Sequence, residues 1–192
     1  MRKENLLWAI LMCGIALSSC TDRLQEAASI SLNPKIKSET GFKASLNLEN
    51  SFISTRSTEP TPIYPDYYGG GYISDNDELV VLVKKGYDKE NAKIEFQSRS
   101  KSSNILIKEC DYSFNELMDL NTKLGNVFCS NNNLVKDLGW FSVGLLPIEN
   151  RISVYLFDCS ENNIQRFKSE VSDSPMIIFE EINNINYDTE IQ

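Results

Sequence analysis

Four tyrosines stand among three glycines in the stretch Tyr64, Tyr67, Tyr68, Gly69, Gly70, Gly71 and Tyr72. Flat rings beside permissive backbone can stack on a sugar or clasp an extended peptide. The same residues can instead form the entry to a strand, with rings over the sheet edge and glycines allowing close backbone approach. Exposed rings would favour binding, and buried rings would favour the structural role. The chain has no histidine, which removes Ser-His-Asp and Cys-His catalysis, histidine general bases and histidine-containing zinc sites. Carboxylate pairs, a Ser-Lys dyad or a lone thiolate are what remain, and no spacing singles one out. Five cysteines are present. Of these, Cys110, Cys129 and Cys159 lie in the body of the chain, where an oxidising compartment would permit one disulfide among three pairings. Their spacing gives no metal motif, and no cofactor is expected. Asp75-Asn76-Asp77-Glu78 lacks the glycine and distal glutamate of a calcium loop, so it reads as a hairpin turn.

The N-terminus carries the most specific signal. Arg2 and Lys3 precede an apolar run from Leu6 to Leu17, and the small residues Ser18 and Ser19 lead into Cys20. That is the layout of a secretory signal, in a run too short to span a bilayer. Leu17-Ser18-Ser19-Cys20 resembles the lipobox of bacterial lipoproteins, with Ser19 in place of the commoner Gly or Ala. The resemblance implies cleavage before Cys20, a diacylglycerol on its sulfur, and a mature protein anchored by acyl chains in the bacterial cell envelope, outside the cytoplasm. Without residues 1–19 the chain keeps 17 basic and 26 acidic side chains, net −9. Such a chain gains nothing from phosphate contacts, so nucleic acid is not an expected partner.

Residues 20–62 are rich in Ser, Thr, Asn, Lys and Glu, and "STRSTEPTP" reads as linker by composition. The expected organisation is a signal peptide over 1–19, a lipid-anchored flexible linker over 20–62, an α+β domain over 63–182 and a polar tail over 183–192. Within the domain, "GGYIS" and "ELVVLV" read as a hairpin whose second strand is central. Asp88 caps a helix to about Arg99, and Asn104 to Glu109 is a strand. Ser113 and Glu116 form a capping box for a helix that Gly125 ends, leaving Asn126 to Asn133 as a polar loop holding Cys129. Trp140 to Leu146 and Arg151 to Phe157 pair as strands, Ser160 caps a helix to about Val171, and Pro175 to Glu180 is the last strand. The fold class expected is α+β, with antiparallel sheet and helices packed on one face, in two related ββα(β) halves.

"GGYISDNDELVVLV" (70–83) and "GWFSVGLLPIENRISVYLFD" (139–158) are together similar to the pro-region of secreted bacterial chymotrypsin-fold proteases of the alpha-lytic type. Asn150, Arg151, Ile152, Ser153 and Val154 match the later strand of that pattern, with Ser153 departing from its apolar run. Those pro-regions act as folding chaperones and inhibitors of a protease on the same chain. The resemblance implies a stand-alone relative whose client is a separate protein. Three functions are therefore weighed: a tethered module binding protein or glycan, a pro-region-like inhibitor or chaperone acting in trans, and, ranked last, an enzyme.

Overall fold

The computed structural model describes residues 39–53 and 61–182. Two units of the same plan follow one another. In the first, helix α1 (Glu39–Phe52) precedes the hairpin β1 (Tyr68–Ile73) and β2 (Leu79–Lys84), the crossover helix α2 (Lys89–Ser100) and strand β3 (Ile105–Cys110). In the second, α3 (Phe114–Ser130) and the short α4 (Asn132–Asp137) precede the hairpin β4 (Trp140–Leu146) and β5 (Arg151–Leu156), the crossover helix α5 (Glu161–Glu170) and β6 (Ile177–Glu181).

Each unit makes one three-stranded sheet, ordered β1-β2-β3 and β4-β5-β6. The antiparallel expectation holds for the hairpins, β1 with β2 and β4 with β5. It fails for the third strand, which joins parallel in both units. A helical crossover returns the chain to the starting edge, and a strand entered that way runs parallel to the one it left. The two hairpins share finer detail. Both first strands carry a register shift, between Tyr68 and Gly70 and between Trp140 and Ser142. Both turns have a left-handed residue at the same place, Asp77 (φ 59°) and Asn150 (φ 53°), whose N–H groups bond the carbonyls of Ser74 and Pro147.

Two cores result. Leu79, Val81 and Val83 on one face of the first sheet meet Ala44, Leu48 and Phe52 of α1 and Ala92 and Phe96 of α2. Ile152, Val154 and Leu156 of β5 meet Leu117, Leu120 and Leu124 of α3 and Phe167 of α5. Burying one such side chain stabilises by about 1.5–3 kcal/mol. An aromatic pair sits at the same place in each core: Tyr68 with Phe96 at 5.7 Å, and Trp140 with Phe167 at 4.9 Å. Leu145 packs against both cores and joins them.

The helix starts follow their caps. The Asp88 carboxylate accepts from Glu90 N and Asn91 N, Ser113 and Glu116 form the reciprocal box, and Ser160 accepts from Asn163 N. Two expectations need correction. The stretch read as linker contains α1, whose Ala44, Leu48 and Phe52 recur at helical spacing and are buried; order therefore begins well before Ile63. Gly125 does not end α3, which runs to Ser130, so Cys129 is helical. A mid-helix glycine costs only about 1 kcal/mol, and Val127 and Phe128 beyond it pack on the second core. The signal peptide, Cys20 and the polar tail lie outside the described residues. No helix among the described residues is long and apolar enough to cross a membrane.

Candidate functional site

The four tyrosines do not form one surface. Tyr68 is buried at the centre of the first core, 4.8 Å from Phe52 and 5.5 Å from the stacked Tyr64 ring. Tyr64 also meets Phe114 edge-on at 4.6 Å, which ties the first unit to the helix that opens the second. Both phenols donate to one carboxylate, Tyr68 Oη to Glu49 Oε1 at 3.0 Å and Tyr64 Oη to Glu49 Oε2 at 3.3 Å. Burial pushes the Glu49 carboxyl above its usual range, and the two phenol donors oppose the shift. Tyr67 stacks on Tyr87 at 3.7 Å and donates to Glu95. Tyr72 belongs to the opposite face of the sheet, with Val80, Leu82 and Cys110, and accepts from Lys108 Nζ at 2.7 Å. Three rings thus frame a core, and the fourth is separated from them by the sheet.

The glycines explain why the strand entry needs them. A Cβ on Gly69 would collide with Cys110 Sγ and would crowd Leu82 Cβ at 3.1 Å. Gly70 holds φ +106° at the register shift, with the Phe114 ring against it. The three cysteines of the described chain are free thiols, so the disulfide weighed in the sequence is not formed. Cys110 is buried at the end of β3, Cys129 is exposed on α3, and Cys159 is half-buried after β5. Burial raises the Cys110 thiol to about 11, which makes it a poor source of thiolate near neutral pH.

The polar centre that sequence reading missed is the joint between the units. Asn150, buried in the β4–β5 turn, uses its whole amide there. Its Oδ1 accepts from Tyr112 N at 2.8 Å and Asp111 N at 3.2 Å. Its Nδ2 donates to Tyr112 O at 2.9 Å and, across the joint, to Gly69 O at 3.1 Å. Beside it Asp111 receives Arg151 at 2.8 Å and Lys85 at 2.6 Å, and the Arg151 guanidinium lies 4.7 Å over the Tyr112 ring. The hydrogen bonds from Lys85 and Arg151 hold the Asp111 carboxyl below its usual range. A shallow cavity of about 190 Å³ opens here, lined in part by Lys85, Glu109, Asp111, Asn150 and Arg151. Lys85 and Arg151 are paired with Asp111, and the thiol of Cys110, which also lines the cavity, is raised by burial. The arrangement clamps two units together and sets no base against a nucleophile.

Each sheet ends in two strands with no further strand beside them among the described residues, β1 and β3 in the first and β4 and β6 in the second. Ile177 and Phe179 of β6 point to the core, leaving Ile178 and Glu180 on the other face, opposite Ser153 and Tyr155 of β5. An edge of this kind can accept one further strand by main-chain hydrogen bonding.

Comparison with known families divides the chain at the joint. Residues 22–110 match the Pro-like N-terminal domain, and residues 115–182 match the Pro-like C-terminal domain. No curated protein matches the chain. The four residues between the two matches, Asp111 to Phe114, include the two whose backbone Asn150 holds. The fold is α+β with two related Pro-like domains, one per unit.

Proposed function

We propose that these two Pro-like domains in series form a non-catalytic binding module, anchored to a membrane of the bacterial cell envelope, outside the cytoplasm, by a lipid on Cys20. The observation that carries it is the edge of β6, one of the four strands that end a sheet among the described residues, on a clamped body of two Pro-like domains. The client is a separate protein that adds a strand to that edge. The two family matches favour a more definite second reading, in which the module inhibits or assists the folding of a serine protease in trans, as the pro-regions it resembles do for their own proteases. Two carboxylates are engaged by neighbours within the fold, Glu49 by the phenols of Tyr64 and Tyr68 and Asp111, at the surface of the joint, by Lys85 and Arg151.

The test of binding uses purified chain against bacterial chymotrypsin-fold proteases, scored by inhibition of the active enzyme and by refolding yield of the denatured one. Inhibition or assisted refolding that is weakened by the pair Ile178→Lys and Glu180→Lys, with unchanged circular dichroism, supports the reading. No effect on either assay removes the protease client. The anchor is tested apart from the client, by intact mass and fractionation of the wild type and Cys20→Ala. A diacylglycerol-sized addition and membrane sedimentation lost in the variant support it, and an unmodified soluble wild type refutes it.

A further inference from the structure

Of the four strands that end a sheet, three carry features that blunt an edge. β1 and β4 each hold a register shift, between Tyr68 and Gly70 and between Trp140 and Ser142, and irregularities of that kind turn an edge away from a newcomer. β3 pairs without a shift but presents Lys108, which donates to the Tyr72 hydroxyl, and lysine is a common guard of such edges. β6 has neither a shift nor a basic residue, and its two charges stand at its last positions, Glu180 and Glu181. Among the four it is the strand best prepared to receive another.

The ladder with β5 fixes which groups of β6 are free. Ile152 N–H bonds the Met176 carbonyl and Ile182 N–H bonds the Leu156 carbonyl, so in this parallel pair the even-numbered residues of β6 turn their peptide groups toward β5. Phe179 therefore turns both its N–H and its carbonyl to the open side, and Glu181 turns its N–H there. A strand arriving antiparallel would exchange both bonds with Phe179. The carboxylates beside that position are not neutralised. Their neighbours on β5 are Tyr155 and Leu156, and neither Glu180 nor Glu181 enters an ion pair among the described residues. Glu181 Oε2 accepts from Cys159 N at 3.4 Å, next to Asp158, which adds a third carboxylate at this end of the sheet.

We infer that the strand added to β6 is an antiparallel client segment in which two basic residues are followed by three apolar ones. The inference rests on the reading of β6 as the client edge and names the chemistry of the client there. Counted antiparallel, the basic residues lie opposite Glu181 and Glu180, and the apolar ones opposite Phe179, Ile178 and Ile177. A second copy of this chain does not fit, because two β6 edges paired about Phe179 would set Ile178 against Glu180 and Ile177 against Glu181. The net charge of −8 over the whole chain draws a basic partner at longer range.

Three synthetic peptides, capped at both ends, test it against the chain carrying Cys20→Ala: Ser-Arg-Lys-Val-Val-Ile-Ser, its charge reversal Ser-Glu-Glu-Val-Val-Ile-Ser, and its order reversal Ser-Ile-Val-Val-Lys-Arg-Ser. Amide hydrogen exchange places the contact residue by residue. The first peptide should slow the Phe179 and Glu181 amides and leave those of Ile178 and Glu180, already in the ladder, unchanged. It should do so at a concentration about 10-fold lower than the second, and lower than the third, which matches the charges only in the less stable parallel sense. In the pair Glu180→Lys and Glu181→Lys, with the amides of β5 still protected, the preference between the first two peptides should invert. A first peptide no better than either of the others, or a preference that the lysine pair leaves unchanged, overturns the inference while β6 stands as the client edge. Slowing of Phe179 that grows with protein concentration in the absence of peptide assigns the edge to a second copy and overturns it as well. No slowing with any peptide overturns the edge reading, and this inference with it.

Discussion

Replacing Asn150 by alanine tests whether the joint makes one cooperative body of two domains. The substitution removes four hydrogen bonds, to Asp111 N, Tyr112 N, Tyr112 O and Gly69 O. A buried group left without a partner costs about 1–3 kcal/mol. Only the bond to Gly69 O is fully buried, and water can reach the others, so the loss is about 3 kcal/mol. The left-handed backbone at φ 53° adds about 1 kcal/mol, because alanine tolerates it less well than asparagine. The total of about 4 kcal/mol is a large part of a typical 5–15 kcal/mol stability. Asn150→Gly, which is free of the backbone cost, should lose about 3 kcal/mol. Trp140, buried between Phe128 and Phe167, reports the second domain by fluorescence in urea, and hydrogen exchange of β2 reports the first. The wild type should unfold in one transition by both probes, and the alanine variant should split them. A loss under about 1 kcal/mol, with the probes still coincident, would refute the assignment of Asn150 as the clamp.

Three further outcomes follow from the packing. Glu49 is raised by burial, so the folded state binds its proton more tightly than the unfolded chain; its contribution is full below about pH 4.5 and declines as pH rises through the folded value. Glu49→Gln, which keeps an acceptor for Tyr68, should therefore gain stability relative to wild type between pH 4 and pH 7, read as the difference in Tm at the two values; an equal Tm difference at both would contradict it. Gly69→Ala should destabilise by about 1–3 kcal/mol through overpacking, and Cys110→Ala should recover much of that in the double variant, as a denaturation cycle would show; strict additivity would mean that the Gly69–Cys110 contact is not the cause. In maleimide labelling of native protein, Cys129 should react first and Cys110 only on unfolding, and early loss of Cys110 would mean that its burial is wrong.

The elements most legible in the sequence are those with local chemistry at their ends. Asp88, Ser113 with Glu116, and Ser160 announce their helices through hydrogen bonds within three residues of themselves. The central strand Leu79–Lys84 announces itself by an unbroken apolar run that only two-sided burial permits. Helix α1 stayed hidden because the exposed Phe42 and Leu46 stand among its buried Ala44, Leu48 and Phe52, which blurs the period, and because Ser45, Asn47 and Asn50 are weak helix formers. Its stability comes from Ala44, Leu48 and Phe52 in a core assembled from distant strands. The parallel third strands are a matter of chain path, which no local pattern encodes. The tyrosine and glycine cluster was visible, but its role turned on contacts from Phe52, Glu49 and Phe114. Asn150 could have been flagged by one signal, an asparagine at a turn position that demands positive φ; its partners, up to 81 residues away, could not.

The repeat explains why the joint is where it is. The left-handed turn residue of each hairpin lies by the start of its own domain's first helix: Asp77 abuts Gly41 of α1, and Asn150 holds the two residues that lead to Ser113, the cap of α3. In the second domain that approach is also the exit from β3 of the first. A contact serving folding within one unit thereby becomes a contact between units, and Nδ2 of Asn150 completes it by reaching Gly69 of β1. An aspartate at this position would keep the two acceptor bonds but turn an oxygen toward the Gly69 and Tyr112 carbonyls. Asparagine, with both a donor and an acceptor, is the side chain that satisfies both sides of the joint, which is the physical reason the two turns carry different residues at equivalent places.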